Sequence, residues 1–330
     1  MCGRTCLTLE PKEIQCCCKY IKPQTSNDEK SNKFKIPEYR NEFNCGRKYQ
    51  PSYNLAPTDI SPVLVSAAHF NDLKDSSERT LVPMMWSLVP RWHKGDYRKH
   101  GLTTNNCRLE GLAMSKLYNP LLQAGQRCVI LCEGFYEWQT TKALKASERP
   151  AFFIHMPQAD GVRMENKDTW DLKNSGIKLL KMAGLFDVWE DENGDKLYSY
   201  TVITFESNEK FSKIHHRIPA ILENEEEVNA WLDFKRVPSN RALNMLKPSE
   251  RIQWYGVSNL VNNSRNKSEQ CNKPFEIGET KPKGLGTPKS KLMQTWLITQ
   301  KRTNDEPADR EQDGASDSKK LKTENEDRSS

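Results

Sequence analysis

Cys2 follows the initiator methionine directly, with Gly3 and Arg4 behind it. Removal of Met1 leaves a free α-amine and a thiol on the same residue. Such a 1,2-aminothiol has chemistry that an internal cysteine lacks. The amine, with a reference pKa of about 7.7–8.0, condenses with an aldehyde to an imine. The thiol, with a reference pKa of about 8.5, then closes on the imine carbon as a five-membered thiazolidine. Position alone does not separate this use from a cysteine that merely stands early, so other residues must decide.

The chain has 330 residues, 28% of them charged, and a net charge of +6. That suits one sizeable soluble domain with polar appendages, and the mild positive charge permits nucleic acid as a partner without demanding it. No apolar run approaches the ~20 residues that cross a bilayer, and the first 25 residues lack the apolar centre of a secretory signal. A membrane partner is therefore not expected, and a cytosolic or nuclear setting is. In that setting the ten cysteines are expected as reduced thiols. They form no C-x-x-C pair, so a zinc site or any other metal cofactor is not expected. Cys128 and Cys132, four apart in an apolar strand pattern, share one face and read as core filling.

The elements that must position any site are mainly strands. RCVILCEGFYEW (127–138), LLKMAGLFDVWE (179–190), LYSYTVITF (197–205) and RIQWYGVSNLV (251–261) are β-branched and aromatic, with Asn193-Gly194 marking a turn between two of them. They predict a coiled, mainly antiparallel sheet. Helical periodicity is clearest over 224–234, with Asn224 as N-cap and acidic residues in the first turn. The fold class is α+β with strands dominating. Residues 21–35 and 157–176 are polar and read as surface insertions. From 279 to 330 the composition is too polar to offset chain entropy, which predicts a disordered tail.

Cys2-Gly3-Arg4 is followed in order by PSYNLAPT (51–58), PMMWSLVPRW (83–92), TTNNCRLE (103–110), CEGFYEW (132–138), MAGLFDVWE (182–190), IHHRIPAIL (214–222) and VSNLVNN (257–263). Together these resemble the SRAP family, whose members bond covalently to abasic sites in single-stranded DNA. The resemblance implies an SRAP domain over residues 2–273, with a barrel-like sheet core and peripheral helices. It implies a monomer without cofactor that shields abasic sites, at junctions of single and double strands among others, during replication-coupled repair. It also implies self-removal of Met1, with AP-lyase activity as a side reaction of the imine.

Under that resemblance the catalytic positions are Cys2, Asn106, Glu137 and His215. Ring-closed deoxyribose must open to its aldehyde before an amine attacks, a proton transfer suited to His215. Glu137 is placed to deprotonate the Cys2 amine and to protonate the hydroxyl lost in imine formation. Asn106 offers a donor and an acceptor without charge. Arg108 and Arg217 match the family's phosphate-binding arginines, with Arg4 as a third candidate. Trp92 resembles an exposed aromatic that stacks on a base, and Leu102 stands where the family carries a second aromatic. Asn54 and Asn262 match positions near the cleft, with turn capping as the competing reading. Trp86, Trp138 and Trp189 read as core.

Beyond this domain, LMQTWLITQKR (292–302) resembles the partner-binding helices that dock on a replication sliding clamp. Lys301-Arg302 and the lysines around Leu321 suit nuclear import. The expected location is the nucleus, at chromatin and replication forks. Two other functions stay open: a peptidase with an N-terminal cysteine whose action ends at Met1, and a non-covalent reader of modified cytosine in DNA.

Overall fold

The computed structural model describes residues 3–22, 34–42, 44–172 and 176–276. Cys2 and the tail, with its 292–302 segment and lysine runs, lie outside the described residues. So does the middle of the first insertion, whose ends Tyr20 and Lys35 pair as neighbouring strands.

The strands are β1 (Thr5–Leu7), β2 (Tyr20–Ile21), β3 (Phe34–Lys35), β4 (Glu38–Tyr39), β5 (Ser52–Leu55), β6 (Ile60–Ser66), β7 (Arg79–Trp86), β8 (Asn106–Arg108), β9 (Arg127–Cys132), β10 (Gly134–Trp138), β11 (Ala151–His155), β12 (Leu180–Glu190), β13 (Lys196–Glu206), β14 (Arg217–Pro219) and β15 (Gln253–Val257). β13, β12, β9, β6 and β7 follow one another edge to edge, and β7 returns to β13 through Met85↔Ser199 and Trp86↔Tyr200. That last pairing closes a five-stranded barrel. β6, β7 and β9 are buried along their whole lengths, which is why their stretches 62–65, 81–86 and 128–132 read as continuous apolar runs rather than alternating ones. Cys128 and Cys132 are fully buried in β9, the core filling that their spacing implies.

A second sheet has the order β15-β11-β10-β1-β5. The run 127–138 reads as one strand but breaks after Cys132, sending β9 into the barrel and β10 into the second sheet. Gly134 permits the break. A Cβ there would stand 2.4 Å from the Phe153 ring and 2.5 Å from the Ile154 carbonyl oxygen, closer than any side chain tolerates.

The helix expected at 224–234 spans Glu225–Leu232, and the Asn224 side chain accepts from the Glu227 N–H at 2.9 Å. It buries Val228, Trp231 and Leu232, the i, i+3, i+4 stripe that seats a helix on a sheet. Trp231 Nε1 also donates to the Cys128 carbonyl on β9.

Residues 157–176 depart from the surface insertion expected of them. Met164 and Trp170 are buried, Asn272 donates to the Met164 carbonyl, and Lys167 Nζ donates to the Thr8 carbonyl at 3.0 Å. The polar composition masks two large apolar anchors.

Candidate active site

β10 carries the first of the reactive groups. Its Phe135, Tyr136 and Glu137 are all buried, with Glu137 only 3% exposed. Beside it runs β1, with Thr5 opposite Phe135 and Cys6 opposite Gly134. The Arg4 carbonyl accepts from the Tyr136 N–H at 2.9 Å. The chain therefore enters the sheet at Arg4, next to Glu137.

A buried carboxylate fixes that entry. Glu133, with no exposed surface, accepts from the Thr8 N–H at 2.6 Å, the Thr8 hydroxyl at 2.7 Å and the Cys6 thiol at 3.2 Å. Its own N–H donates to the Cys6 carbonyl. Burial raises its carboxyl pKa and these donors oppose the rise. Three donors on one carboxylate lock the register of the N-terminal strand.

His215 arrives from the other direction. A single helical turn, Glu209–Ser212, is capped by Asn208, and its Phe211 packs 6.2 Å from Phe135 between ring centroids. His215 follows at 4% exposure, with Nε2 3.9 Å from Glu137 Oε1. His215 Nδ1 lies 3.0 Å from the Arg217 backbone nitrogen and 3.2 Å from the Arg217 carbonyl oxygen. A proton on Nδ1 directed at that carbonyl leaves the lone pair of Nε2, the nitrogen facing Glu137, open to accept a proton.

An ordinary ion pair would lower the glutamate pKa and raise that of the histidine. Here burial dominates both: it pushes Glu137 up to about 7 and His215 down to about 4. Between those values both groups are uncharged. Above 7 the glutamate alone carries charge. A carboxyl group that exchanges its proton near neutrality beside a neutral imidazole can both take and give protons.

The two sides of one strand end hold further candidates. β8 pairs with β13 through Asn106↔Val202 and Arg108↔Thr204, while β14 pairs with it through Arg217↔Glu206. Asn106 and Arg108, two apart, share a face of β8; Asn106 is half-buried and Arg108 exposed. Arg217 differs from an open phosphate-binding residue. It is 7% exposed, and its Nη1 and Nη2 bond Glu110 Oε1 and Oε2 at 2.7 and 2.9 Å. Glu110, half exposed, occupies the fork that a phosphate would use.

A cleft of about 530 Å³ is lined by Glu137, Trp138, Thr140, Ser147, Arg149, His215 and Asn262, among others. Asn262 Oδ1 accepts from Trp138 Nε1 at 2.7 Å, and the Asn262 carbonyl accepts from Arg4 Nη2 at 3.4 Å. The Arg4 guanidinium lies 5.9 Å from the Trp138 ring centre. Trp138, expected as core, packs on the core with one edge and walls the cleft with the other. Asn54 is fully buried, and its Nδ2 donates to the carbonyls of Val261, Asn263 and Asn266. It braces the loop that carries Asn262, one wall of the cleft. Trp92 and Leu102 are 61% and 45% exposed, while Trp86 and Trp189 are buried as expected. Sequence reasoning missed Glu110, Arg149 and Trp138 as site residues. Glu110 closes a motif already singled out, TTNNCRLE, whereas nothing in the sequence around Arg149 marks it.

The family model described as SOS response associated peptidase (SRAP) matches residues 1–264. Abasic site processing protein HMCES of Xenopus tropicalis is 42% identical over 300 residues, covering 90% of this chain and 85% of that protein. HMCES of Gallus gallus is 40% identical over 299 residues, covering 90% and 84%. Abasic site processing protein YoqW of Bacillus subtilis (strain 168) is 29% identical over 225 residues, covering 68% and 86%. A solved structure from Bacteroides thetaiotaomicron has the same fold, with a TM-score of 0.58 at 17% identity over 83% of this chain and 100% of that one. Motif order, barrel topology and these likenesses agree: the chain belongs to the SRAP family.

Proposed function

We propose that this protein processes abasic sites in single-stranded DNA by bonding to them covalently through Cys2 once Met1 is removed. The observation that carries this reading is the buried Glu137–His215 pair, standing where the N-terminal strand is clamped into the sheet. Its relatives' name, abasic site processing protein, supports the same substrate.

His215, neutral above about pH 4, accepts the hemiacetal proton of the closed sugar on Nε2 and delivers it to the ring oxygen as the bond from that oxygen to the anomeric carbon breaks, which leaves the aldehyde and the ring-opened hydroxyl. Glu137 as carboxylate takes a proton from the Cys2 ammonium. The freed amine adds to the aldehyde carbon, and Glu137, now protonated, returns the proton to the departing hydroxyl, so that water leaves and the imine forms. Attack by the thiolate on the imine carbon, with the thiol proton passing to the former imine nitrogen, closes the thiazolidine. Asn106 orients the sugar, Arg108 and Arg4 hold phosphates, and Trp92 with Leu102 supports a base by stacking and apolar contact. Loss of a proton from the imine stage would instead cleave the strand by β-elimination.

The reading extends to work in the nucleus at replication forks, as a monomer on single strands and their junctions with duplex, and to clamp docking through 292–302. Trp296→Ala with Leu297→Ala should abolish clamp recovery in a pull-down.

The deciding experiment incubates the mature chain with an abasic oligonucleotide and identifies the adduct by mass on the N-terminal peptide. Cys2→Ala should form no denaturation-resistant product, and a chain retaining Met1 should form none. Equal product from Cys2→Ala would end the thiazolidine mechanism. Failure of all forms to react, with intact mass showing Met1 lost through Glu137, would favour a peptidase that acts only on itself. Tight non-covalent binding of duplex carrying modified cytosine would favour a reader.

A further inference from the structure

We propose that Arg149 is an anion-binding residue of the cleft, holding one phosphate of the DNA strand; this rests on the proposed function for the identity of the anion. Arg149 is half-buried and lines the same cleft as Glu137 and His215. Its Nε is buried without a hydrogen-bond partner, and its guanidinium has no ion pair among the described residues.

Other buried or half-buried arginines also carry an unpartnered Nε, but each has a terminal nitrogen engaged. Arg79 is held by Glu225 and Asn229, Arg217 by Glu110 and the Thr204 carbonyl, Arg127 by the Val237 carbonyl and Arg4 by the Asn262 carbonyl. Removing a cation from water is costly unless an anion or acceptor replaces the lost solvation. Arg149 faces a cleft whose one carboxyl group, Glu137, is driven by burial toward its neutral form.

The segment carrying Arg149 is fixed in place. The Thr140 N–H donates to the Ile214 carbonyl and the Thr141 hydroxyl to the Lys213 carbonyl, both at the approach to His215. Asn259 Nδ2 donates to the Ser147 carbonyl from the loop that carries Asn262. Gln139 N–H donates to the Pro150 carbonyl, which ties the two ends of the segment together. A guanidinium positioned this way is organised before its ligand arrives, which favours binding. Between residues 139 and 149, Lys142, Lys145 and Arg149 outnumber the one acid, Glu148, so the local field also attracts a polyanion. Arg108 does not line this cleft, so the contact is additional to its own.

The test uses the full chain and an undamaged single-stranded oligonucleotide, with binding measured by fluorescence anisotropy over a salt series. Arg149→Gln should weaken binding about 3- to 10-fold at low salt and reduce the slope of log K against log salt by about 0.7, the value for one phosphate contact on a single strand. Arg149→Lys should restore the slope and only part of the affinity, because it keeps the charge without the planar fork. The DNA concentration giving half-maximal adduct should rise by the same factor in Arg149→Gln. An unchanged slope in Arg149→Gln, in a variant whose Tm matches the parent, overturns the assignment. Binding to undamaged DNA needs no covalent step. A reduced slope with no adduct from the parent chain therefore leaves this contact standing and removes the proposed function, and an adduct with an unchanged slope does the reverse.

Discussion

Replacing Glu137 by Gln should stabilise the protein, and by an amount that depends on pH. Burial lifts the Glu137 carboxyl from 4.5 to about 7. Below about pH 4.5 the group is protonated in both folded and unfolded chains, and burial costs little. As pH rises from 4.5 to 7 the unfolded chain releases its proton first, so folding must retain a proton or bury a charge. The folded state therefore loses stability across that window, and the full penalty persists above 7. A rise from 4.5 to about 7 corresponds to roughly 3 kcal/mol. Gln preserves shape and polarity without the titration. At ~2–4 °C per kcal/mol for a domain of this size, the variant should melt up to ~6–10 °C higher at pH 7.5 and nearly level with the parent at pH 4.5. His215 works in the opposite sense, since a pKa lowered from 6.5 to about 4 removes stability as pH falls. Both proteins share that contribution, so subtracting the melts cancels it apart from coupling across 3.9 Å. The assay is thermal unfolding of the full chain from pH 4.5 to 7.5, with intact mass read on both proteins so that retained Met1 is scored. A Tm difference that stays flat across pH would refute the burial argument, and with it the assignment of Glu137 as the proton carrier.

Three further outcomes follow from the same geometry. Glu110→Gln should release the Arg217 fork and tighten binding of single-stranded DNA about 2- to 5-fold at low salt; weaker binding would mean that Glu110 orients Arg217 rather than competing with phosphate. Asn54→Ala removes three donations to the Asn262 loop and should cost about 2–3 kcal/mol in chemical denaturation; an unchanged unfolding midpoint would contradict its bracing role. Glu133→Ala strands the buried Thr8 N–H and should cost about 1–3 kcal/mol while slowing adduct formation more than it weakens binding of undamaged DNA. Adduct formation at the parental rate would show that the strand lock has no bearing on Cys2.

Much of the fold was legible because its strands obey simple rules. The continuous apolar run of β9 and the capped helix at Glu225 both follow from local chemistry. What was not legible depends on distance in sequence. Nothing within 127–138 says that β9 and β10 belong to different sheets; the reason lies in Phe153 and Ile154, which leave no room for a Cβ at residue 134. Polar composition hid the anchors Met164 and Trp170 for a related reason, since average hydropathy does not report where two large side chains land. At the site, the spacing of Glu137 and His215 in the sequence carries no information about the 3.9 Å between them, and the resemblance supplied their pairing. The resemblance nominates Arg217 as a phosphate contact and Asn54 as a position near the cleft, but it does not report what either side chain bonds within the fold. Their partners Glu110 and the 261–266 carbonyls are 107 residues and more than 200 residues away.

The arrangement separates two electrostatic tasks that interfere when they share a site. A proton carrier working near neutrality needs a low-dielectric setting, and a nearby arginine would pull the Glu137 pKa back toward that of a free carboxylate. Strand binding needs arginines. Under the proposed function, that conflict is met by burying Glu137 and His215 between β10 and the turn after Phe211, while Arg108 and Arg217 stand at the end of β13, where Arg217 is already paired with Glu110. Arg149 shares the Glu137 cleft but is not among the groups that shift the Glu137 pKa, and a bound phosphate would offset its charge further. Under the proposed function, charge neutralisation and proton transfer can then be tuned independently, by Glu110 and Arg149 for the strand and by burial for the chemistry.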